Sequence, residues 1–287
     1  MEKVNHKPRR RGYEARDREE LINTIIKLHN DGLSQVDIAK KLKLSRGTIL
    51  RWNKELKFFH PRTPGEGGKI KSKIYDYDEN YFETISTPNQ AYIIGYILGD
   101  GTILDRKKSK RLVLSLAEQD KQLLYDIANE LNMTEAIKFR KRNAPNEQNK
   151  YSLVINSTKM CNDLIQLGIA PKKTKNEEWI EFNNNELQWA FLRGFFDADG
   201  HIRVYLKDNY LKTRIGFTGT KEMLESILSF LKSRNIGLRV NSIIQKEGCY
   251  DLYISSVIDA KEIYTHLYKD GSIKLNRKYE KFSSLMI

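Results

Sequence analysis

Cysteine is scarce in this sequence, and long apolar runs are missing from it. The two cysteines, Cys161 and Cys249, lie far apart and show no metal-ligand spacing, which excludes a disulfide framework and a zinc site. No apolar run approaches the roughly 18 residues that a membrane span requires, and the charged N-terminus lacks the apolar segment of a signal peptide. We therefore expect a soluble cytoplasmic protein of a bacterium or a phage, and an organelle is also compatible.

Acidic residues are outnumbered by basic ones. The 37 Asp and Glu residues face 50 Lys and Arg residues, which leaves a net charge of +13. Such an excess favours a polyanionic partner, and nucleic acid is the first candidate. The 287 residues suffice for one large domain plus a small one, or for two halves of ordinary size.

The N-terminal region divides into a basic arm, a small helical domain and a linker. Residues 1–16, MEKVNHKPRRRGYEAR, lack an apolar period and are typical of a flexible arm or of a solvated terminus. Residues 17–57 predict three short helices, of which Ser34 caps the second and Ser45 the third. Residues 58–87 begin rich in Pro and Gly and predict a linker, whose aromatic second half is a candidate to dock on the next domain.

The helical domain resembles a helix-turn-helix module. SQVDIAKKL matches its first helix, KLS its turn and RGTILRWNKEL its recognition helix. In such modules the recognition helix sits in the major groove of DNA. An ordinary three-helix bundle with a solvated basic face is the alternative. The resemblance implies the following DNA-facing residues: Arg46, Thr48, Arg51 and Asn53.

Two stretches of the remaining chain repeat each other. AYIIGYILGDGTI at 91–103 and FLRGFFDADGHI at 191–202 align so that Asp100 falls on Asp199. Similar strands and helices follow each stretch in the same order, which predicts two αββαββα units, at 88–184 and 185–287. The fold class is therefore α+β.

Each repeated stretch predicts a helix that ends at an aspartate. The stretch starting at Thr87 and the one starting at Asn185 both carry capping residues, and we expect Gly101 and Gly200 to end the helices in the left-handed conformation. Glycine inside a helix costs up to about 1 kcal/mol relative to alanine. Gly95 and Gly194, at matching positions, therefore predict close packing of the two helices, which would bring Asp100 and Asp199 side by side.

These stretches resemble the two motifs of a single-chain LAGLIDADG homing endonuclease. IIGYILGDG at 93–101 and LRGFFDADG at 192–200 carry the resemblance, which extends from about Pro88 to the C-terminus. It implies a DNA-binding saddle in which Asp100 and Asp199 bind a catalytic divalent metal. It also implies one lysine near each active site: Lys173 in the first unit, with Lys172 and Lys175 as alternatives, and Lys278 in the second. Asp197, which aligns with Leu98, is a further candidate.

The chemistry of two close carboxylates agrees with that implication. Such groups repel each other unless a cation intervenes, and carboxylates at helix C-termini are unfavourable on their own. Oxygen ligands suit Mg²⁺ or Mn²⁺, and such an ion can activate water and stabilise a leaving oxygen. A lysine could stabilise charge on the phosphate, although simple phosphate binding is the alternative role.

Alternation along the predicted strands places polar and basic residues on one face. Arg, Asn and Gln can read base edges, whereas Lys mostly contacts phosphate. A charged face can also be merely solvated, so the recurrence across strands is the main argument for DNA. The predicted DNA-binding residues of the strands are Lys138, Arg140, Arg142, His201, Arg203, Tyr205, Lys207, Lys212, Arg214, Arg239, Asn241 and Gln245.

Together these features predict a monomeric, site-specific, metal-dependent endonuclease that hydrolyses both strands of a long asymmetric DNA target. Two other functions stay open, an intron RNA maturase with host intron RNA as partner, and a non-cutting transcription regulator. Retention of Asp100 and Asp199 argues against the regulator. The initial Met1 and the lack of splice-junction residues predict a free-standing protein rather than an intein.

Overall fold

The protein, analysed as a computed structural model, consists of two compact units, Met1–Ile74 and Tyr75–Ile287. The structure describes residues 15–60, 75–106, 109–141, 148–171, 176–269 and 273–286. Most of the predicted arm therefore lies outside the described residues. Tyr77 and Phe82, in the second half of the predicted linker, are buried in the core of the larger unit, because aromatic side chains gain most from leaving water.

The smaller unit is a bundle of three helices, α1 (Ala15–Asn30), α2 (Gln35–Lys41) and α3 (Arg46–Leu56). The Ser34 hydroxyl accepts from Asp37 N at 3.2 Å, and the Ser45 hydroxyl accepts from Thr48 N at 3.0 Å, so both predicted caps form. Apolar side chains from all three helices make one small core. Its fully buried members include Ile25, Ile38 and Ile49.

The larger unit contains the predicted αββαββα order twice. The first copy comprises α4 (Pro88–Asp100), β1 (Thr102–Arg106), β2 (Ser109–Ala117), α5 (Lys121–Glu130), β3 (Lys138–Arg140), β4 (Lys150–Ile155) and α6 (Thr158–Gln166). The second comprises α7 (Asn185–Asp199), β5 (Gly200–Lys207), β6 (Tyr210–Gly219), α8 (Lys221–Lys232), β7 (Ile244–Lys246), β8 (Cys249–Ile254) and α9 (Val257–Leu267), followed by α10 (Asn276–Ser283). The predicted α+β class and the twofold repeat are confirmed.

Each copy has one antiparallel four-stranded sheet. The strand orders are β1-β2-β4-β3 and β5-β6-β8-β7, so corresponding strands occupy corresponding places. One face of each sheet packs on the common core through residues such as Leu112 and Phe217, which are fully buried. The other face carries polar and charged side chains.

The two motif helices, α4 and α7, lie at the centre of the larger unit. α4 begins with a capping box between Thr87 and Gln90. α7 is capped by Asn184, whose Oδ1 accepts from Glu186 N at 2.7 Å, one residue before the expected Asn185. Three consecutive asparagines precede Glu186, and each of them is a suitable N-cap residue, so the sequence alone does not show which one caps the helix.

Glycines allow the backbones of the motif helices to touch. A methyl group at Gly95 would overlap the carbonyl oxygen of Phe191, and one at Gly194 would overlap that of Tyr92. The expectation for Gly101 and Gly200 was wrong, because both adopt extended conformations, with φ of −78° and −94°.

Steric space explains the glycine that follows each motif helix. A Cβ at Gly101 would lie 2.8 Å from Ile97 Cα, and one at Gly200 would lie 2.6 Å from Phe196 O. Both glycines are therefore required by close contact with the preceding turn. Within the described ranges, no helix combines the length and the apolar character that a membrane crossing needs.

Candidate active site and nucleic-acid interface

The motif helices bring Asp100 and Asp199 to the same end of the helix pair. Each aspartate is the last residue of its helix. A Cβ built on Gly99, the neighbour of Asp100, would lie 2.7 Å from Asp199 Oδ2. Asp100 is exposed and Asp199 is half-buried, so both carboxylates remain accessible from solvent.

Tyr96 contacts the first of these aspartates. Its hydroxyl donates to Asp100 Oδ2 over 3.3 Å. Burial raises the pKa of Tyr96 well above its ordinary value, and the nearby Asp100 carboxylate raises it further. The phenol therefore stays protonated and acts as a donor. The corresponding residue of the second motif, Phe195, has no hydroxyl, so the two acids have different surroundings.

Lys278 is buried at the C-terminal end of α7. Its Nζ donates to Phe196 O at 2.7 Å and to Asp197 O at 2.8 Å. A cation is favourable at this position because the last carbonyls of a helix carry partial negative charge. Burial lowers the pKa of Lys278 to about 8, although nearby carboxylates, that of Asp197 foremost, oppose the shift. The lysine therefore lies against the backbone that leads into Asp199.

Asp197 lies inside the helix interface and not at the exposed end. Its Oδ2 accepts from the Tyr92 hydroxyl and from Leu275 N, both at 2.7 Å. Burial raises the pKa of Asp197 to about 6, although the charge of Lys278 acts in the opposite direction. The carboxylate thus ties the second motif helix to the first and to the segment before α10.

Arg193 is a site-supporting residue that the sequence reasoning missed. It is 1% exposed, and it donates to Leu267 O at 2.6 Å and to Ile273 O at 3.0 Å. The sequence does indicate a buried polar contact here, because Arg193 and Asp197 are charged residues one turn apart inside an otherwise apolar helix. We call Arg193, Asp197 and Lys278 the C-terminal clamp. Each of them forms hydrogen bonds that join α7 to the C-terminal part of the chain.

The predicted lysine of the first unit, Lys173, lies outside the described residues, as do Lys172, Lys175 and Arg142. The described part of the chain contains no group of three or more His, Cys, Asp or Glu residues suited to a metal. Asp100 and Asp199 form a pair of carboxylates at adjacent helix ends. Such a pair fits Mg²⁺, which keeps several waters and commonly takes one or two carboxylates together with phosphate oxygens.

The outer face of the second sheet is strongly basic. The β5–β6 register pairs Arg203 with Arg214 and Tyr205 with Lys212, and His201 stands opposite Gly216. Like charges directly opposite each other are destabilising in a sheet. An anion lying against this face would offset that repulsion. Lys207 extends the same row and is exposed.

The outer face of the first sheet is less charged. Lys138 and Arg140 are exposed. Lys138 pairs with Ser152, whose neighbour Leu153 points into the core, so Lys138 and Ser152 lie on the outer face. Sequence reasoning missed Arg111 of β2. It precedes the core residue Leu112, so it lies on the outer face, where it pairs with the exposed Leu104. Its position could have been found by alternation along β2.

Three predicted contacts on the second sheet need correction. The strand expected around Arg239 and Asn241 does not form there, since β7 covers only Ile244–Lys246. Both residues are exposed in the preceding loop, where Gly237 has a φ of +69°. Gln245 pairs with Tyr250, whose side chain packs against the core, so Gln245 lies on the opposite sheet face from Lys246. The shared face predicted for these residues was therefore wrong.

The recognition helix α3 also differs from expectation at one position. Asn53 is buried, and its Oδ1 accepts from Phe59 N at 2.9 Å, so its side chain holds the chain that follows the helix and does not face solvent. Thr48 is half-buried, with its hydroxyl 2.8 Å from that of Ser45. Helical spacing could have found the face that is actually exposed. It includes Arg46, Gly47, Leu50, Arg51 and Lys54, and the exposed Glu55 and Leu56 follow at the end of the helix.

Comparison with known families agrees with this architecture. The profile of the LAGLIDADG-like domain matches residues 87–162 and 186–268. The profile of the helix-turn-helix domain of resolvase matches residues 10–55. The first match covers more than half of the chain, and the chain therefore belongs to the LAGLIDADG family of DNA endonucleases.

Individual relatives are distant. Glutamine–fructose-6-phosphate aminotransferase of Methanocaldococcus jannaschii is 29% identical over 211 residues, which cover 71% of this chain but only 18% of that protein. An uncharacterized protein of the same organism is 24% identical over 287 residues, 93% of each chain. The DNA-bound LAGLIDADG meganuclease I-AabMI is 14% identical, with a TM-score of 0.48 over 70% of this chain and 89% of its own.

Proposed function

We propose that the chain is a site-specific endonuclease that cuts both strands of duplex DNA with the help of a divalent metal. The adjacency of Asp100 and Asp199 at the ends of two touching helices carries this proposal. Two acids at helix C-termini repel each other and the helix dipoles, so they lower stability unless they serve a cation.

Asp100 and Asp199 are the proposed ligands of Mg²⁺ or Mn²⁺. When bound, such an ion supplies an activated water and stabilises the leaving oxygen of a phosphodiester. The protein orients the carboxylates through the helix pair and keeps the approach to them open. Lys278 offsets negative charge at the end of α7 and holds the last turn in place, and Lys173 is its proposed counterpart in the first unit.

The outer faces of the two sheets are the proposed DNA surface. The opposed Arg203 and Arg214 support this, because phosphate anions would turn their repulsion into attraction. Because the two sheets carry different side chains, the preferred duplex should be asymmetric. One chain supplies both halves, which supports action as a monomer.

The N-terminal helix-turn-helix domain, proposed to span 17–57 between an arm and a linker, would add contacts beyond those of the sheets. Its exposed face offers two arginines and Lys54, which can contact phosphates and base edges. It would add affinity and register without chemistry, because both aspartates belong to the larger unit.

The test is selection of cleaved sequences from a randomised duplex library with Mg²⁺, and with chelator as control. We expect both strands of one asymmetric sequence family to be cut, and only in the presence of the metal. Cutting that persists in chelator would refute metal dependence. A folded chain that binds duplex but cuts no sequence would refute the endonuclease function.

A further inference from the structure

A fully buried carboxylate lies on the outer face of the second sheet. Asp251 of β8 is 0% exposed, and it alternates with the core residues Leu252 and Ile254. Its neighbour in the register is Thr218, whose hydroxyl donates to Asp251 Oδ1 over 2.7 Å. The polar face has no packing requirement for a buried charge, so this residue needs a different explanation.

Asp251 is satisfied by three donors. Besides Thr218, the Tyr253 hydroxyl donates to Oδ2 over 2.5 Å and the Lys246 ammonium forms an ion pair with the same oxygen. Burial by itself would favour the protonated acid, but the hydrogen bonds from Lys246, Tyr253 and Thr218 hold the pKa of Asp251 below its ordinary value. A charged and fully bonded group of this kind fixes its partners in one arrangement.

Two partners of Asp251, Tyr253 and Lys246, belong to a group of donors around the Tyr253 ring. The Arg214 guanidinium lies 5.2 Å from the centre of the Tyr253 ring, and the Lys246 ammonium lies 5.8 Å from it. The His201 ring meets the edge of Tyr253 at 5.6 Å. His201 is accommodated because position 216 is glycine, where a Cβ would overlap the imidazole. We call Tyr253, Arg214, Lys246 and His201 the tyrosine platform.

The first sheet keeps the basic side chains of this platform but not its two rings, since Arg111 and Arg140 occupy the places of Arg214 and Lys246. The motif alignment matches His201 with Thr102, and the strand registers then match Gly216 with Val113 and Tyr253 with Val154. Ser152 stands in the place of Asp251, and its hydroxyl lies 2.8 Å from that of Ser115. Neither a buried charge nor an aromatic ring occupies the places of Asp251, Tyr253 and His201, so the groups that orient the basic side chains belong to one half of the protein.

We propose that Asp251 is a positioning residue that fixes the tyrosine platform to read guanine in the half of the duplex that contacts the second sheet. Guanine presents two acceptors, O6 and N7, in the major groove, and arginine and lysine donors match them. The Arg214 fork is oriented by stacking on Tyr253, so it loses less freedom on binding. The inference rests on the proposed DNA-binding function, although it does not require that the chain cuts.

Binding selection with the full chain in chelator tests the proposal without cleavage. The wild type, Asp251→Asn and Tyr253→Phe would each select from a randomised duplex library, with Ser152→Ala as the matched first-half control. We expect the wild type and the control to prefer guanine at one position of one half-site by about tenfold. Asp251→Asn should lose this preference, Tyr253→Phe, which keeps the ring, should lose part of it, and both should keep the specificity of the other half-site.

A second measurement probes the contact itself. Replacing that guanine with 7-deazaguanine removes the N7 acceptor, which should weaken wild-type binding and leave Asp251→Asn binding unchanged. Melting temperatures identify a variant that fails to fold, and Tyr253→Phe, which keeps the ring and two of the three donors to Asp251, serves as the milder variant. Equal weakening across all sequences, with both half-site preferences intact, would overturn the inference. A wild type that binds no duplex would overturn the proposed function as well.

Discussion

The two motif helices share a backbone arrangement but hold their surroundings in different ways. At matching positions, α4 has Ile94 and Leu98, whereas α7 has Arg193 and Asp197, and all four side chains are buried. The first helix relies on apolar packing at these positions. The second buries a cation and an anion, which is costly unless both are well bonded. The repeat therefore preserves the position of the aspartates and not the way in which their helices are supported.

The buried charges of α7 hold the C-terminal part of the chain. Arg193 donates to two backbone carbonyls of this part, and Asp197 accepts from the Leu275 amide. Lys278 in turn donates to a carbonyl of α7. Arg277 of α10 also reaches the first half, where its Nε lies 2.9 Å from Asp120 Oδ1. The C-terminal helix thus contacts both halves, and the clamp makes the second half depend on it.

The largest difference between the two helices should appear when Arg193 is replaced. Arg193→Leu leaves the Leu267 and Ile273 carbonyls without their donor and removes a charge near Asp197, so we expect a loss of about 3–5 kcal/mol in the free energy of unfolding. The matched change in the first motif, Ile94→Leu, should cost less than about 1.5 kcal/mol. Urea unfolding measures both values. Equal losses would show that the clamp does not distinguish the halves.

Asp197→Asn should change how stability depends on pH. Burial raises the pKa of Asp197 from 3.8 to about 6, so the folded protein holds this proton more tightly than the unfolded chain. The resulting stability is complete below pH 3.8 and is lost as the pH rises through about 6. Across this window the wild type should lose about 3 kcal/mol relative to the variant.

The check on this pH effect is urea unfolding of both proteins between pH 4 and pH 7. Titrating groups distant from Asp197 are common to the two chains and cancel in the difference between them, whereas the pKa of Lys278 should fall further in the variant because the Asp197 charge that raises it is lost. Parallel pH profiles would mean that the Asp197 carboxylate does not titrate in this range.

The smallest effect concerns the opposed arginines of the second sheet. Arg203→Gln relieves repulsion with Arg214 and should raise the free energy of unfolding by about 0.3 kcal/mol. Duplex affinity should fall, with a salt dependence shallower by about one unit of slope. Leu104→Gln, at the matching place in the first sheet, should leave the slope unchanged. Identical slopes for wild type and Arg203→Gln would exclude a phosphate contact there.

Local signals in the sequence predicted the fold and the meeting of the two acids. The repeated motifs, their caps and the internal Gly95 and Gly194 are short-range patterns, and they predict two helices that touch at matching points. Alternation likewise predicted the outward row from His201 to Lys207. Each of these patterns lies within one helix or one strand, and the recurrence of the motif matches the two helices to each other.

The remaining features depend on contacts between distant parts of the chain. Arg193 bonds to carbonyls 74 and 80 residues away, a separation that no local pattern encodes. The helix-turn-helix resemblance implied that Asn53 faces DNA, but its burial depends on the Phe59 amide, which lies beyond the end of α3. Alternation around Arg239 and Asn241 predicted a strand, but pairing with β8 begins only at Ile244, and no local pattern marks that limit.

Strand-resolved cleavage by Asp100→Asn and Asp199→Asn tests the central claim most directly. Each change removes one carboxylate charge while keeping nearly the same shape, so the melting temperature should hold or rise and duplex binding in chelator should persist. The account predicts that Mg²⁺-dependent cutting falls by orders of magnitude in both variants. If either folded, DNA-binding variant cuts both strands at the wild-type rate, that aspartate is not an essential metal ligand.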